Sequence, residues 1–372
     1  MTARIPFPKR VTHCPHFGQC GGCAFDNRHA LDKRAVLQAA LARAGFAQAA
    51  IAPLREVPAG TRRRVDLAVQ RQGAEILLGL HRARSTDVVD MQACALLRPE
   101  FLPLLPPLRA LARSLQALRR AGSIVINWLE TGPDILLRLD APFTQPDRRR
   151  LVDFANAHNV PRISIATGRD LPEPAVILKT PILHFGGVAV SPPPGGFLQA
   201  SAEGEAEIVQ AVLAGLPKLA GKSRIVELFS GSGTLTFPLA RHARVEAYEG
   251  DEAACDAAEA ALRFAALAGR VRVTRRDLHR RPVQPADMAR AAAVVLDPPF
   301  AGAAAQMRFI VASGVKRVIY VSCSPDALAV DAGTLGHAGY HLLAATPIDQ
   351  FPYSGNVESV VVFGKLKQTP KH

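Results

Sequence analysis

The stretch RIVELFSGSGTLTFPLARH, Arg224 to His242, decides the fold. A β-branched apolar run stops at a glycine-rich turn, and a helical pattern starts directly after it. The apolar runs RVEAYE, VRVTRRD, AAAVVLDPP, RVIYVSC, HLLAATPID and VESVVVFGKL follow, with helical stretches such as DEAACDAAEAALRFAALAG between them. Alternation of this kind predicts an α/β fold, a Rossmann-like and mostly parallel seven-stranded sheet with helices on both faces. Ligands of such sheets lie beyond the carboxyl ends of the strands, so chemistry is expected there.

Toward the amino terminus, SPPPGG (Ser191–Gly196) reads as the joint between two domains, expected at 1–190 and 191–372. The first half reads as α+β. HALDKRAVLQAALARAGF is an amphipathic helix ended by Gly45, and RRRVDLAVQ, AEILLGLHR and STDVVDM are short strands. A helix runs through LRALARSLQALRRAG, and SIVINWLE and DILLRLD form a hairpin around Thr131-Gly132-Pro133. Hydrophobic residues at 48% and charged ones at 21% are ordinary for a globular protein and exclude global disorder. MTARIPFPKR carries no apolar signal region, and no apolar run approaches a membrane span. A soluble, cytoplasmic, monomeric protein with no membrane partner is therefore expected.

The charge is unevenly spread. Residues 1–185 hold 26 basic and 15 acidic side chains of the chain's 45 and 32, which leaves 19 and 17 for the rest. Arginine dominates the surplus, as in TRRRVD (Thr61–Asp66) and DRRR (Asp147–Arg150), and suits bidentate contacts to phosphate. A basic half joined to a near-neutral one points to a module holding nucleic acid. The alternative is an arginine-rich composition with solvated charge.

The strand ends carry the candidate chemistry. Gly231 and Gly233 let backbone approach a ligand, but Thr236 stands where a dinucleotide fingerprint needs its third glycine, so a nicotinamide site recedes. Glu249 in AYEG stands where an acid accepts both ribose hydroxyls, and Asp277 in TRRD where one meets an adenine amino group. Acids after three successive strands form the pattern of class I S-adenosylmethionine methyltransferases; ordinary strand-end caps are the alternative. LDPPF (Leu296–Phe300) resembles the motif with which amino-group methyltransferases grip an exocyclic NH2. Cys323, ending IYVSC, argues otherwise. C5 of uracil becomes nucleophilic only after a thiolate adds to C6, and a nitrogen methylase has no use for that thiol. A buried structural cysteine is the plain alternative. Glu358 opens the apolar strand of NVESVVVF and is a candidate base for the C5 proton, unless it is simply exposed at the strand mouth.

Three cysteines crowd into CPHFGQCGGC, namely Cys14, Cys20 and Cys23, and Cys94 follows in VVDMQACALLRP. Six cysteines in the whole chain are too few for a secreted disulfide scaffold, so a metal site is expected. Four thiolates suit either a [4Fe-4S] cluster or zinc, and the spacing alone leaves both open. Cys255 lies within a helical pattern and reads as a small buried residue.

CPHFGQCGGC, FLQAS, ELFSGSGTLTFPLA, LDPPFAG, YVSCSPDALAVD and DQFPYSGNVESV occur in the order seen in the RNA (uracil-5-)-methyltransferase family. The chain resembles its bacterial 23S rRNA-methylating members that carry an iron–sulfur cluster. The TRAM domain that some members add before the cysteines is not expected, with 13 residues ahead of Cys14. The resemblance implies S-adenosylmethionine as cofactor, Cys323 as nucleophile and Glu358 as base. It implies Gln199, Phe229, Glu249 and Asp297 as cofactor-binding residues; Asp277 is added from strand position alone. It selects a [4Fe-4S] cluster over zinc on the four cysteines. It implies structured RNA as partner, ribosomal RNA ahead of transfer RNA. Rival readings are an amino-group methyltransferase working through DPPF and a non-catalytic, metal-stapled RNA-binding protein. The chain departs from the family pattern at Phe300, where Arg is usual, at Thr234 for Asn, and in CSP for CNP.

Overall fold

The computed structural model describes residues 14–365. Arg224–Leu228 is the first strand of a large sheet, and Ile225, Val226 and Leu228 are completely buried in it. Arg244–Glu249 and then Val271–Arg275 lie parallel on one side of it; Ala293–Leu296 and then Arg317–Ser322 lie parallel on the other. The strand order thus reverses at Arg224–Leu228, and a crevice opens at such a switch point beyond the carboxyl ends.

The sheet has eight strands rather than the expected seven. Glu358–Lys365 inserts antiparallel between Arg317–Ser322 and Tyr340–Asp349. The additional strand, Arg55–Glu56, comes from the amino-terminal half and pairs parallel with Ile348 and Asp349 at the sheet edge. The helix Lys33–Arg43, N-capped by Asp32, buries Leu37 and Leu41 completely in the core that also holds Val226 and Leu296. The hairpin of Leu183–Phe185 and Val188–Val190 joins the core on the opposite side of the sheet. Segments on the amino side of Ser191 therefore complete the large sheet. Their periodicity announced a helix and strands but could not announce the partner, because an apolar face fits any complementary core.

The remaining amino-terminal residues build a second, mostly antiparallel sheet. Its spatial order is Val88–Asp90, Glu75–His81, Arg64–Gln72, Ala121–Leu129, Gly132–Leu139, Arg162–Thr167 and Glu173–Ile177. Helices Leu105–Ser114 and Gln145–Ala157 cover one face. The first of these stops well short of the expected Gly122. Asp147 accepts the N–H groups of Gln116 and Ala117, and Asp140 those of Arg119 and Arg120, so the backbone has partners outside a helix. The joint is packed, not loose. Arg162, paired with Asp134, donates to Pro192 O at 2.7 Å, and a Cβ on Gly195 would meet Leu136 at 2.6 Å.

Candidate active site

Strand register brings the candidate residues into one crevice. Leu228 pairs with Leu296 in the parallel ladder, so Phe229 and Asp297 emerge level at adjacent strand ends. Ser322 pairs with Ser359 in the antiparallel ladder, so the next step sets Cys323 opposite Glu358. Phe229 takes a left-handed backbone, φ 61°, which turns the chain sharply into the glycine loop. Gly231 has φ 54°, and a Cβ there would meet nothing within 4 Å, so open space adjoins the loop. Gly233 has a different cause: a Cβ would strike the Phe237 ring at 2.3 Å.

A continuous hydrogen-bond chain joins the two catalytic-side carboxyls. Gln199 donates to Asp297 Oδ2 at 3.1 Å. Gln350 donates to Gln199 Oε1 at 3.0 Å and to Glu358 Oε2 at 2.7 Å. Gln350 was not anticipated, although it stands inside DQFPYSGNVES; nothing in a lone glutamine distinguishes a site residue from a surface one. Glu358 Oε1 and Gln350 Oε1 are buried without a partner among the described residues, which is what a site awaiting a polar ligand shows.

Burial dominates the electrostatics. Desolvation, then the charge of Asp297, pushes Glu358 up to about 8 against the donation from Gln350. Desolvation likewise pushes Asp297 up to about 7, with Gln199 opposing. The two carboxyls titrate as a pair. Cys323 is half-buried and pushed up to about 11 by desolvation, then by Glu358 and Asp297. The next residue, Ser324, N-caps the helix Pro325–His337, so CSP supplies a helix start directly after the candidate nucleophile.

On the cofactor side, Glu249 accepts the N–H of Gly231 at 2.8 Å through Oε2, and those of Gly250 and Asp251 through Oε1. Its carboxylate therefore shapes the glycine loop. Asp277 caps its own turn, accepting from His279 N and Arg280 N, and those contacts hold its carboxyl below the usual range. The turn lays the His279 ring beside Phe229, with centroids 5.8 Å apart. Glu227, the acid of the first strand, is 1% exposed; its Oε2 has no hydrogen-bond partner among the described residues, and burial pushes it up to about 8. Arg63, just before the strand Arg64–Gln72 of the antiparallel sheet, donates to Gln199 O at 3.2 Å and pairs with Glu205 at 2.6 Å. Phe300 is 66% exposed. The turn after it needs no arginine, because Asp331 accepts from Ala303 N at 2.7 Å and from Tyr320 Oη at 2.6 Å.

The four amino-terminal cysteines line one cavity of about 570 Å³ with Arg62 and His16. Burial first, then the charges of Cys94, Cys14 and Cys20, pushes Cys23 up to about 12. Gly22 N donates to Cys20 Sγ at 3.4 Å, and His16 Nε2 accepts from Gln92 N at 2.9 Å. Among the described residues, no three His, Cys, Asp or Glu side chains are gathered closely enough to hold a single metal ion as they stand. Cys255 is buried in the helix Glu252–Phe264, as expected. No helix among the described residues is long and apolar enough to cross a membrane.

Residues 193–366 match the family described as tRNA (uracil-5-)-methyltransferase. An RNA methyltransferase of Brucella suis, itself uncharacterised, is 36% identical over 95% of this chain and 84% of its own. A 23S rRNA (uracil(1939)-C(5))-methyltransferase of Pectobacterium atrosepticum is 34% identical over 96% of this chain and 81% of its own. Among solved structures, the Pyrococcus abyssi tRNA (uracil-54, C5)-methyltransferase in complex with S-adenosyl-L-homocysteine superposes with a TM-score of 0.67 at 18% identity, over 89% of this chain and 81% of that one. The last likeness is one of fold.

Proposed function

The chain belongs to the RNA (uracil-5-)-methyltransferase family, and on that premise we propose how its crevice methylates uracil C5 in RNA. The observation that carries the reading is the register that sets Cys323 opposite Glu358, with a hydrogen-bond chain running on to Asp297. A thiol and a carboxylate at one point are what addition to C6 and later removal of the C5 proton require.

The target uridine leaves the base stack and enters the crevice, where its C5 and C6 come between Cys323 and Glu358. Cys323 rests as a thiol because it is desolvated beside two carboxyls, so its sulfur gives its proton up to water as it bonds to C6, and Glu358 stays unprotonated for the later step. The C5–C6 electron pair moves onto O4 as an enolate, then returns to form the bond from C5 to the methyl carbon. Glu358 takes the proton from C5, and the electrons of that C–H bond restore the double bond and expel the Cys323 thiolate. S-adenosylmethionine supplies an electrophilic methyl group when bound. Open space beside Gly231 and the unpartnered Glu227 Oε2 fit such a ligand. Gln199, Phe229, Glu249 and Asp297 would hold it, with Asp277 fixing the turn that carries His279.

The substrate is read as structured RNA, ribosomal ahead of transfer RNA. Cys14, Cys20, Cys23 and Cys94 would hold a [4Fe-4S] cluster. Their donor chemistry fits: four half-buried thiols in one cavity repel one another as thiolates unless a cation lies between them. A single zinc ion would draw four sulfurs to ~2.3 Å of one point, whereas a cubane takes one thiolate at each of four irons. When bound, the cluster would supply cross-linking, with the half-buried Arg62 lining the same cavity.

RNA carrying 5-fluorouridine tests the mechanism, because a C5–F bond cannot release a proton. The wild type is expected to give a denaturation-resistant adduct with an RNA it methylates, and Cys323→Ala neither adduct nor methylation. Full activity of Cys323→Ala would sink the reading and return the amino-group alternative.

A further inference from the structure

The second half of the chain is nearly neutral overall, yet one cavity in it is strongly basic. Lys222, Arg224, Arg244, Arg270, Arg272 and Arg290 line a pocket of about 360 Å³. They come from the amino ends of three adjacent parallel strands, Arg224–Leu228, Arg244–Glu249 and Val271–Arg275, and from the loop before Ala293. The pocket therefore lies at the pole opposite the catalytic crevice. Glu246 is the one acidic residue lining it, and it is paired with Arg224. The other five cations make no ion pair among the described residues.

This arrangement has a cost within the free protein. Arg224 and Arg244 are direct cross-strand partners, and like charges set opposite each other in a sheet destabilise it. Concave, one-signed charge concentrates an attractive potential for polyanions. Five exposed arginine and lysine heads without carboxylates leave their donors free for phosphate oxygens.

We infer that this pocket is a second contact for the phosphodiester backbone of the RNA substrate, remote from the uridine being methylated. The inference rests on the RNA-methylating function above. Reach favours the same RNA over a small anion. The intervening strands, five to six residues at ~3.3 Å each, are roughly 17–20 Å long. A stacked nucleic-acid strand advances about 3.4 Å per nucleotide, so about five or six nucleotides cover that distance.

The test uses the full chain and a 23S rRNA transcript made in vitro, with binding measured across a salt series. For Arg244→Gln/Arg270→Gln/Arg272→Gln, the slope of log affinity against log salt is expected to shallow by about two units, at ~0.7 per lost phosphate contact on a single strand. Affinity at low salt should fall at least about tenfold, while kcat at saturating RNA and S-adenosylmethionine affinity stay at wild-type values. The matching Arg→Lys triple keeps the charge and should keep the slope. Unchanged slope and affinity in the Gln triple would overturn the proposal, as would equal losses in the Lys and Gln triples. Competition by millimolar inorganic phosphate that leaves RNA binding untouched would reassign the pocket to a small anion and also overturn it. Failure of the methylation reading looks different: the wild type would bind RNA with the steep slope but form no 5-methyluridine.

Discussion

At the residue scale, the proposed base Glu358 leans on Gln350. Its one NH2 group serves both Gln199 and Glu358, so it fixes the carboxylate's rotamer while opposing its burial-driven rise in pKa. Asp349, one residue earlier, is gripped by Lys33 and by Arg28 at 2.8 Å, which leaves the Gln350 backbone little freedom. Gln350→Met keeps the length and removes both hydrogen bonds. Adduct formation with 5-fluorouridine RNA should survive, because it needs only Cys323 addition and methyl transfer. Turnover on normal RNA should drop by about 10- to 100-fold, the order expected for impaired general base catalysis, and methylated covalent adduct should build up. Equal slowing of adduct formation and turnover would instead mark Gln350 as a packing residue. The sequence displayed Cys323, Glu358 and Asp297 because a thiol or carboxylate at a strand end has few roles; Gln350 also follows a strand, Tyr340–Asp349, but an amide there is not so restricted, and His279 lies in a turn.

At the scale of elements, the strands Ala293–Leu296 and Glu358–Lys365 deliver two desolvated carboxyls to one gap, and stability should record it. Both groups have folded pKa values raised above those of the unfolded chain. The folded protein therefore binds more protons than the unfolded chain between about pH 4 and pH 8. Their contribution is fully present below about pH 4 and is lost as pH rises through 7 to 8. Glu358→Gln removes the penalty of a buried charge. Its melting temperature should match wild type near pH 5 and exceed it at pH 8.5, by a free energy on the order of a few kcal/mol. A constant difference across that range would show that Glu358 is not desolvated. The insertion of Glu358–Lys365 between two neighbours was not legible in its sequence. Its apolar run from Val360 to Phe363 is compatible with any central position.

At the scale of the molecule, the cysteine segment stitches the two sheets together. Gly21 N donates to His81 O at 2.9 Å on the antiparallel sheet, and Ala24 N to Tyr353 O at 2.8 Å in the loop before Glu358. Tyr353, 2% exposed, packs in one small cluster with Leu96, Cys14, Cys23 and Cys94. Cys94→Ser is therefore expected to lower bound iron and to raise hydrogen exchange in residues 351–357, with the strands Arg224–Leu228 and Ala293–Leu296 unaffected. Anaerobically purified protein should be coloured. A colourless, zinc-loaded sample would overturn the iron–sulfur assignment, and unchanged exchange would detach the cysteine site from the catalytic loop.

The sequence by itself determined the alternation of strands and helices, the crevice at their carboxyl ends, and the candidates for nucleophile and base. Those properties reside in local periodicity and in residue types that chemistry restricts to few roles. Tertiary structure alone decided that helix Lys33–Arg43 and strand Arg55–Glu56 complete the catalytic sheet. It also decided that Cys323 faces Glu358 across an antiparallel ladder, and that five arginines and a lysine meet at the far pole. These are contacts between segments up to three hundred residues apart. Apolar faces and charged side chains are interchangeable in pattern until packing selects their partners.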